Sequence, residues 1–418
     1  MKVDTLVLGA GIVGTSVALN FRLRGRSVAL VDRRGPGEET SYGNAGLVER
    51  SSIYPVAFPR DLKALAEVAL GRNPAANYHW DALPGLLPWM YAYWKASAPA
   101  RVLAYARTME TLLRHSLDEH ARLAALSGAE HYFREGGWLK LYRSPEGLDN
   151  ERKEFPLARQ YGLSMRELTV DEALALEPDL RPDFAAAVIW SDPHSVSSPG
   201  GVTQAYARHF AALGGEIGTG DARGLVRLGT GWAMSTAAGL VEAREVVVAL
   251  GPWADDVLRP FGVRLPLAVK RGYHMHYRGE GGAKLSRPVL DEEGGYVITP
   301  MELGIRLTTG VEFARRDARK TPVQLERTEA VARKLFPLGE RVEAEPWMGC
   351  RPAFPDMLPA IGPATGRGGE AVKGLWLAIG HQHLGFTLGP ITGRLLAEMM
   401  SGETPSVDPA PFAPARFG

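Results

Sequence analysis

The sequence predicts an α/β fold in which a Rossmann-like domain is interleaved with an α+β domain that carries a mostly antiparallel sheet. Residues 5–32 contain an apolar strand, a glycine-rich turn, a helical stretch and a second apolar strand. Two more apolar runs, 246–250 and 374–379, each lead into a glycine turn and a helical stretch. Between them, residues 265–310 alternate apolar and polar side chains over three strands, which is typical of an antiparallel layer.

The stretch that ends at Asp32 has the pattern of a dinucleotide-binding turn. Gly9, Gly11 and Gly14 have the G-x-G-x-x-G spacing, and Asp32 ends the second strand. The first glycine allows the tight turn, the second lets backbone approach a pyrophosphate, and the third lets helix and strand pack closely. The helix N-terminus attracts phosphate, and the Asp32 carboxylate suits a ribose. The alternative is a glycine-rich turn without a ligand.

Length and composition indicate a globular protein of about two domains. The chain has 418 residues, 45% of them hydrophobic, and a net charge of +1, which predicts no affinity for nucleic acid. The single cysteine, Cys350, excludes an intramolecular disulfide and a cysteine-based metal site. The first strand begins within five residues of Met1, and no apolar run is long enough to span a bilayer. We therefore expect a cytoplasmic protein.

Three later segments favour FAD over NAD. Residues 33–46 form a small-residue loop with many hydrogen-bond donors, residues 246–254 form a second strand-to-helix turn, and residues 380–387 form a third. FAD is long and stays bound, so several distant segments have to hold it, and its flavin carries the redox chemistry. A purely structural turn, an NAD-dependent dehydrogenase and a flavin-free binding protein are the alternatives.

Hydride transfer to a flavin requires an anchor that places the donor carbon of the substrate over the ring. Arg351, in a Gly-Cys-Arg-Pro segment, has the planar fork that binds a carboxylate, with a surface ion pair as the alternative. His274 and His276 share one strand face, but the sequence shows no nearby carboxylate that would complete a metal site. We therefore predict that the protein holds no metal, and that these histidines pack or form hydrogen bonds.

Residues 83–94 are rich in tryptophan and tyrosine. Two interpretations are open for this segment. It packs into the core or between domains, or it forms an exposed apolar face that contacts a membrane or a partner.

The chain resembles the FAD-dependent D-amino-acid oxidase superfamily, and within it the bacterial D-amino-acid dehydrogenases of the small-subunit type. The resemblance covers nearly the whole length. It rests on the opening motif Leu8–Gly14, on Thr-Ser-Tyr-Gly-Asn-Ala-Gly at 40–46, on Gly-Cys-Arg-Pro with the proline-rich continuation at 349–362, and on Gly-His-Gln-His-Leu-Gly-Phe-Thr at 380–387.

The resemblance implies site residues. Arg351 would bind the substrate carboxylate, Tyr54 is a candidate lid residue, Tyr296 is a candidate for the cavity wall, and His383 joins the candidate catalytic group. Together with the opening turn, it gives the following cofactor-binding residues: Gly9, Gly11, Ile12, Val13, Gly14, Asp32, Arg33, Thr40, Ser41, Asn44, Ala45, Gly46, Leu47, Arg223, Ala249, Gly251, Arg351, Gly380, His381, His383, Leu384, Gly385, Phe386 and Thr387.

The resemblance also implies a domain division and an activity. A discontinuous FAD-binding domain of glutathione-reductase-like topology would comprise 1–60, 185–260 and 345–418, and a substrate-binding domain 61–184 and 261–344. The activity would be oxidation of the C–N bond of D-amino acids by hydride transfer to flavin N5, giving an imine that hydrolyses to a 2-oxo acid and ammonia. Cyclic or N-substituted amino acids, such as hydroxyproline, proline or sarcosine-like substrates, are the alternative.

The resemblance bears on the electron acceptor as well. Sarcosine-oxidase relatives place a lysine above the flavin for oxygen reactivity, and the matching strand here carries Arg306. This difference favours a dehydrogenase with a quinone or another carrier as acceptor, either cytoplasmic or peripheral at the inner membrane face. Cys350 lies next to Arg351 and outside the motif of flavin-linked cysteines, so we expect non-covalent FAD.

Overall fold

Two large sheets, one small sheet and a layer of helices make up the fold. The computed structural model describes residues 1–71 and 73–418, apart from the side chains of residues 62–64. The strands are β1 (Lys2–Leu8), β2 (Val28–Asp32), β3 (Leu47–Val48), β4 (Ala76–Tyr78), β5 (Phe133–Arg134), β6 (Trp138–Tyr142), β7 (Met165–Leu168), β8 (Ala186–Trp190), β9 (His194–Val196), β10 (Glu216–Thr219), β11 (Val226–Leu228), β12 (Gly231–Thr236), β13 (Gly239–Val248), β14 (Ala268–Gly279), β15 (Val289–Asp291), β16 (Tyr296–Met301), β17 (Gly304–Thr309), β18 (Val311–Phe313), β19 (Leu338–Arg341), β20 (Trp347–Ala353), β21 (Ala360–Thr365) and β22 (Ala371–Ile379). The helices are α1 (Ile12–Leu23), α2 (Leu62–Ala69), α3 (Leu83–Ala96), α4 (Pro99–Leu113), α5 (Ser116–Ser127), α6 (Pro145–Arg152), α7 (Phe155–Gln160), α8 (Val170–Leu176), α9 (Pro199–Ala212), α10 (Ala254–Leu258), α11 (Val323–Leu335) and α12 (Gly385–Ser401).

The first sheet has a parallel centre in the order β10–β2–β1–β13–β22. The edge of β13 that faces away from β1 pairs first with antiparallel β12 and then with β22, and β11 and β21 extend these two strands as antiparallel partners. Its central strands are buried on both faces, as parallel strands require. Leu6 and Leu8 belong to one core cluster, and Val7, between them, belongs to the other. The apolar runs predicted to be buried strands therefore lie side by side, and the turns that follow them meet at one edge.

The second sheet has eleven strands and is built around the 12-residue strand β14. β14 pairs antiparallel with β17, β18, β19 and β20, while β4 and β6 add two parallel pairs at other strands. This arrangement confirms the predicted α/β fold class with a mostly antiparallel second sheet. It also places β20, which carries Arg351, directly beside β14.

Two strands lie in a different sheet from the one that the predicted domain boundaries gave them. β8 pairs with β6 and β7, and β20 pairs with β14, so both belong to the eleven-stranded sheet. The predicted boundaries at 185 and 345 therefore separate β8 and β20 from the strands with which they pair. Apolar runs of this length look the same in either sheet, because periodicity does not record which strand they pair with. The division into two domains stays a prediction.

Helix α12 closes the structure by packing along α1, beneath the first sheet. The two backbones approach closely enough that a Cβ at Gly393 would lie 2.5 Å from the carbonyl oxygen of Ser16. Glycine is therefore required at this crossing. The close packing fixes the turn that leads into α12 against the N-terminus of α1.

The aromatic segment 83–94 forms most of α3 and divides between two environments. Trp89 and Tyr93 are buried, whereas Leu87 is 60% and Tyr91 is 58% exposed. One face of the helix therefore belongs to the core, and the opposite face is open. In the described part of the chain, no helix is both long and apolar enough to cross a membrane.

Candidate active site

The turn between β1 and α1 brings backbone close to the adjacent strand end. Gly9 has a φ of +104°, and a Cβ there would lie 2.5 Å from the carbonyl oxygen of Ala249. A Cβ at Gly14 would lie 1.9 Å from the carbonyl oxygen of Gly9. The N-cap of α1 is Gly11, which supplies no side-chain cap, and the N–H of Ile12 donates to Ser41 Oγ at 2.9 Å. Apart from this one bond, no side-chain cap is found at the N-terminus of α1 among the described residues, and helix N-termini with N–H groups left free bind anions.

Asp32 ties this turn to the end of β2. Its carboxylate accepts a 2.7 Å hydrogen bond from the N–H of Ala10 and a 3.1 Å hydrogen bond from the N–H of Arg34. The next side chain, Arg33, lies 4.2 Å from the ring centroid of Trp253. Arg223 lies at the same end, where it forms an ion pair with Asp221. This end combines two carboxylates, an aromatic ring and two guanidinium groups.

The loop 40–46 is held from behind by Arg306. Its Nη1 donates to the carbonyl oxygens of Tyr42 at 2.8 Å and Asn44 at 2.5 Å. The Asn44 side chain accepts from the N–H of Gly46 at 2.8 Å, and the hydroxyl of Thr40 donates to the carbonyl of Cys350 at 3.0 Å. The loop is therefore bound to β17 on one side and to β20 on the other.

Arg351 lies at the opposite end from Asp32, on β20. Its Nη1 donates to the carbonyl of Gly310 at 2.7 Å, and its Nη2 donates to the carbonyl of Thr309 at 3.2 Å. The guanidinium lies beside Gly272, where a Cβ would be 2.6 Å from Nη2. The carboxylate of Glu49 attracts it without forming an ion pair. Burial lowers the pKa of Arg351, and Glu49 partly offsets this.

Two neutral histidines follow on the third turn. Burial lowers the pKa of His381 to about 3, and its Nε2 lies 3.0 Å from the hydroxyl of Thr392. Burial also lowers the pKa of His383 to about 3, with a further contribution from Arg351 and Lys270. Both imidazoles are therefore uncharged at neutral pH.

One cavity of about 400 Å³ joins these parts. It runs from Asp32 and Arg223, past the N-terminus of α1 and the loop 40–45, to Arg351 and His383. This shape fits an elongated ligand with anionic groups at its middle. Arg351 supplies a cation at the far end of the cavity.

Comparison with known proteins identifies the family. A model described as FAD dependent oxidoreductase, the DAO family, matches residues 4–399. The chain belongs to this family. It is 30% identical over 423 residues to a D-amino-acid oxidase of Bradyrhizobium diazoefficiens, with 98% of each chain covered. It is also 30% identical to a D-amino acid dehydrogenase of the same organism, covering 100% of this chain and 99% of that one.

A solved structure supports the fold of the DAO family. The glycine oxidase of Geobacillus kaustophilus superposes with a TM-score of 0.74 at 23% identity, over 99% of this chain and 98% of that one. The family and fold predictions are therefore confirmed, and FAD is the cofactor.

The residues present fit FAD. The uncapped N-terminus of α1 and the glycine turn are suited to the pyrophosphate, because anions bind where helical N–H groups lack partners. Asp32 lies at the ribose position of such folds. The thiol of Cys350 lies on the other face of β20 from Arg351 and does not line the cavity, and burial raises its pKa to about 11. These features suit a non-covalent cofactor.

Most of the predicted site residues line the cavity. Those found on its wall are Gly9, Gly11, Ile12, Val13, Asp32, Arg33, Thr40, Ser41, Asn44, Ala45, Arg223, Ala249, Gly251, Arg351, Gly380, His381, His383, Gly385 and Phe386. Their contacts with FAD remain predictions. Their convergence follows from the parallel strands β1, β2, β13 and β22, whose carboxyl ends share one edge of the sheet.

Tyr296 was predicted to be part of the cavity wall, and the structure corrects this. It is 1% exposed and packs in the hydrophobic cluster that includes Ile298 and Leu307. Alternate residues of a strand point to opposite faces, and Tyr296 points away from the cavity. Tyr54, predicted to be a lid residue, does not line the cavity either. It is half-buried and packs against the other large core cluster, near Glu154 and Tyr161.

Five predicted cofactor residues support the site without lining it. The hydroxyl of Thr387 accepts from the N–H of Glu49 at 3.0 Å, so this side chain fixes the chain after β3 and does not face the cavity. Gly14 lies under the turn, where it allows the close approach described above. Gly46, Leu47 and Leu384 likewise lie behind the wall.

The structure brings a carboxylate to the two strand histidines, which the sequence did not reveal. One ligand atom each of His274, His276 and Glu343 lie within 4.8 Å of one another. However, Nδ1 of His276 bonds to Glu343, and its Nε2 accepts a 3.0 Å hydrogen bond from Arg306. Both nitrogens of His276 are therefore engaged, and a guanidinium lies beside the cluster. The arrangement forms a hydrogen-bond chain from Glu343 to the loop 40–46.

Four residues near the site were not predicted. Trp253 and Trp347 line the cavity, Glu49 faces it near Arg351, and Lys270 lies behind it on β14. The sequence places Trp253 directly after the second glycine turn, which is a usable signal. The others depend on strand pairing and on the small loop sheet of β3, β5 and β9, which the sequence does not specify.

Proposed function

We propose that the protein oxidises the C–N bond of D-amino acids by hydride transfer to flavin N5, releasing an imine that water converts to a 2-oxo acid and ammonia. The Arg351 guanidinium is the observation that carries this proposal. It lines the cavity, and in the described part of the chain it has no carboxylate within 4.0 Å and no acceptor for three of its five N–H groups. A cation with unpaired donors at the end of a cofactor cavity is suited to a carboxylate.

The chain's own groups give Arg351 a positioning role. The carbonyls of Gly310 and Thr309 hold its guanidinium plane, so a bound carboxylate would have a fixed orientation. The uncharged His383 can accept a hydrogen bond from the substrate amine, which has to be neutral when hydride leaves. Bound FAD supplies the hydride acceptor. The named activities of the 30%-identical relatives support the D-amino-acid substrate class.

Anaerobic bleaching of the bound flavin tests this function. Purified holoenzyme is mixed with D- and L-enantiomers of the amino acids, and with proline, hydroxyproline and sarcosine. We expect at least one primary D-amino acid to bleach the flavin, and its L-enantiomer to leave it oxidised. Bleaching by secondary amines alone would replace this function with the alternative for cyclic or N-substituted substrates.

We infer further that the electron acceptor is a quinone or another carrier rather than oxygen. Among the described residues that line the cavity there are arginines but no lysine. The guanidinium of Arg306 donates its hydrogen bonds to carbonyls of the loop 40–46. The reduced enzyme is mixed with air-saturated buffer or with a soluble quinone. Faster reoxidation by oxygen than by the quinone would contradict the inference.

A cytoplasmic protein that binds the inner membrane face peripherally is consistent with the open side of α3. Leu87 and Tyr91 are exposed there, and Arg60 and Lys95 lie over the rings of Trp94 and Tyr91. Aromatic and cationic side chains together suit the headgroup region of an anionic bilayer. Co-sedimentation with vesicles containing anionic lipid, compared with neutral vesicles, tests this localisation, and equal recovery in both supernatants would contradict it.

A further inference from the structure

Two cations oppose each other across neighbouring strands near the substrate end of the cavity, where Arg351 lines the wall and Lys270 lies directly behind it. Lys270 on β14 pairs directly with Arg351 on β20 in the antiparallel register. Side chains in such pairs share one face of the sheet with Cβ atoms about 5 Å apart, and like charges there are destabilising. Lys270 is only 4% exposed, so water does little to screen the repulsion. An anion bound between the two groups would relieve this repulsion.

The surroundings of Lys270 provide no anion. In the described part of the chain its Nζ has no hydrogen bond and no carboxylate within 4.0 Å, and it lies 4.0 Å from the ring centroid of Tyr93 and 5.5 Å from that of Trp89. Lys140 is a useful contrast. It also lies over two aromatic rings, but its Nζ bonds to Glu151 at 2.9 Å. The buried ammonium of Lys140 is therefore neutralised by a carboxylate of the chain. Among the described residues, no carboxylate plays this part for Lys270.

The pKa values agree with this difference. Burial, followed by the charge of Arg351, lowers the pKa of Lys270 to about 7. Glu151 and its neighbours raise the pKa of Lys140 instead. Lys270 and Arg351 both lower the pKa of His383, which lines the cavity, so both charges act on the same wall. The one carboxylate close by, Glu49, has its own pKa raised by burial and accepts a hydrogen bond from Ser52.

We propose that Lys270 and Arg351 together bind an amino acid that carries two carboxylates, with Arg351 on the α-carboxylate and Lys270 on the second. This inference rests on the proposed function. The second carboxylate belongs either to the side chain of an acidic D-amino acid or to an N-carboxymethyl group. In both cases it neutralises the charge that the chain leaves unpaired, and the flexible stem of lysine lets the ammonium reach past Tyr93.

Isosteric substrate pairs test the proposal in the unaltered holoenzyme. D-aspartate is compared with D-asparagine, D-glutamate with D-glutamine, and iminodiacetate with its monoamide N-(carbamoylmethyl)glycine, each by anaerobic flavin bleaching and by kcat/KM. We expect the acid of at least one pair to exceed its neutral partner by at least about 30-fold, the usual consequence of a desolvated charge pair. The pair that shows the difference identifies the source of the second carboxylate.

Variants of Lys270 then locate the effect. Lys270→Met should lower kcat/KM for the dicarboxylate substrate by at least about 30-fold and leave the neutral partner within about threefold. Lys270→Arg should restore part of the loss. Lys95→Met removes an exposed lysine that also lies over a tyrosine ring, and it is the matched control. It should leave kcat/KM unchanged for both substrates.

A titration without turnover separates this inference from the proposed function. Malonate should perturb the flavin absorbance of the wild type at concentrations at least about tenfold below those needed for acetate, and Lys270→Met should abolish that preference. Equal rates for acid and amide substrates, or an equal loss for both in Lys270→Met, would overturn the inference. If no amino acid bleaches the flavin while malonate is still preferred, the proposed function fails and the two-cation site remains.

Discussion

The guanidinium of Arg351 donates a 2.7 Å hydrogen bond from Nη1 to the backbone carbonyl of Gly310. This bond links β20 to the end of β17 across the central strand β14. Position 310 requires glycine for a separate reason, because a Cβ there would lie 2.1 Å from the carbonyl oxygen of Ala75. The orientation of the substrate anchor is therefore set by backbone, which does not move with side-chain rotamers.

Gly14→Ala should destabilise the fold and prevent FAD binding. The added methyl would lie 1.9 Å from the carbonyl oxygen of Gly9, so α1 would have to move away from β1. We expect a loss of at least about 3 kcal/mol in the free energy of unfolding, measured by urea denaturation, with colourless protein. Gly85→Ala, in α3, is the control, because nothing lies within 4 Å of the new methyl. It should lower neither the free energy of unfolding nor the flavin content. A yellow Gly14→Ala protein of normal stability would contradict the packing described here.

Asp32→Ala should weaken FAD binding by at least about tenfold without unfolding the protein. The carboxylate fixes the N–H groups of Ala10 and Arg34, and its loss frees the turn as well as the ribose position. Flavin content after extensive dialysis, with FAD added back during a fluorescence titration, measures the change. Asp149→Ala, which removes an exposed carboxylate paired with Arg152, is the matched control. Equal flavin retention in the two variants would remove Asp32 from the cofactor site.

His120 should make the protein less stable at acid pH. Burial lowers its pKa to about 4, from about 6.5 in the unfolded chain, and its Nε2 lies 2.8 Å from the carbonyl of Phe386. Between these values the unfolded chain binds an extra proton, so this stability is present above pH 6.5 and is lost as the pH falls. At pH 5 the loss is about 2 kcal/mol.

Urea denaturation at pH 7 and pH 5 measures this effect. His120→Gln, which can still donate to Phe386, should show a smaller fall in unfolding free energy between the two pH values than the wild type. His131→Gln, at an exposed position, is the control. The same fall in wild type and His120→Gln would contradict a buried neutral His120.

The FAD end of the site could be predicted from the sequence because its parts are local. Gly9, Gly11 and Asp32 act through turn geometry and strand ends, which spacing records directly. Parallel strands then bring the later turns at Gly251 and Gly380 to the same edge. The sequence also singled out Arg351 as a carboxylate anchor, which the resemblance supported, and the structure places it at the far end of the same cavity.

The parts of the site that could not be predicted from the sequence depend on contacts between distant segments of the chain. Lys270 faces Arg351 only because β14 and β20 pair in one register, and a shift of one residue would turn both side chains over. Tyr296 was misplaced for the same reason, since an alternating strand does not reveal which face looks at the cavity. Glu343 reaches His276 from a loop 67 residues away, which no spacing argument could anticipate.

The variant Arg351→Ala tests most directly whether Arg351 binds the substrate carboxylate during amino-acid oxidation. The wild type and the variant are each mixed anaerobically with the D-amino acid that bleaches the wild-type flavin fastest, and flavin content is read from the same spectra. We expect Arg351→Ala to keep its yellow FAD and to lose at least about 100-fold in the rate of bleaching at low substrate concentration, because the substrate carboxylate would lose the guanidinium that binds it. Normal kcat/KM in a variant with full flavin content would contradict the role of Arg351 as the carboxylate anchor.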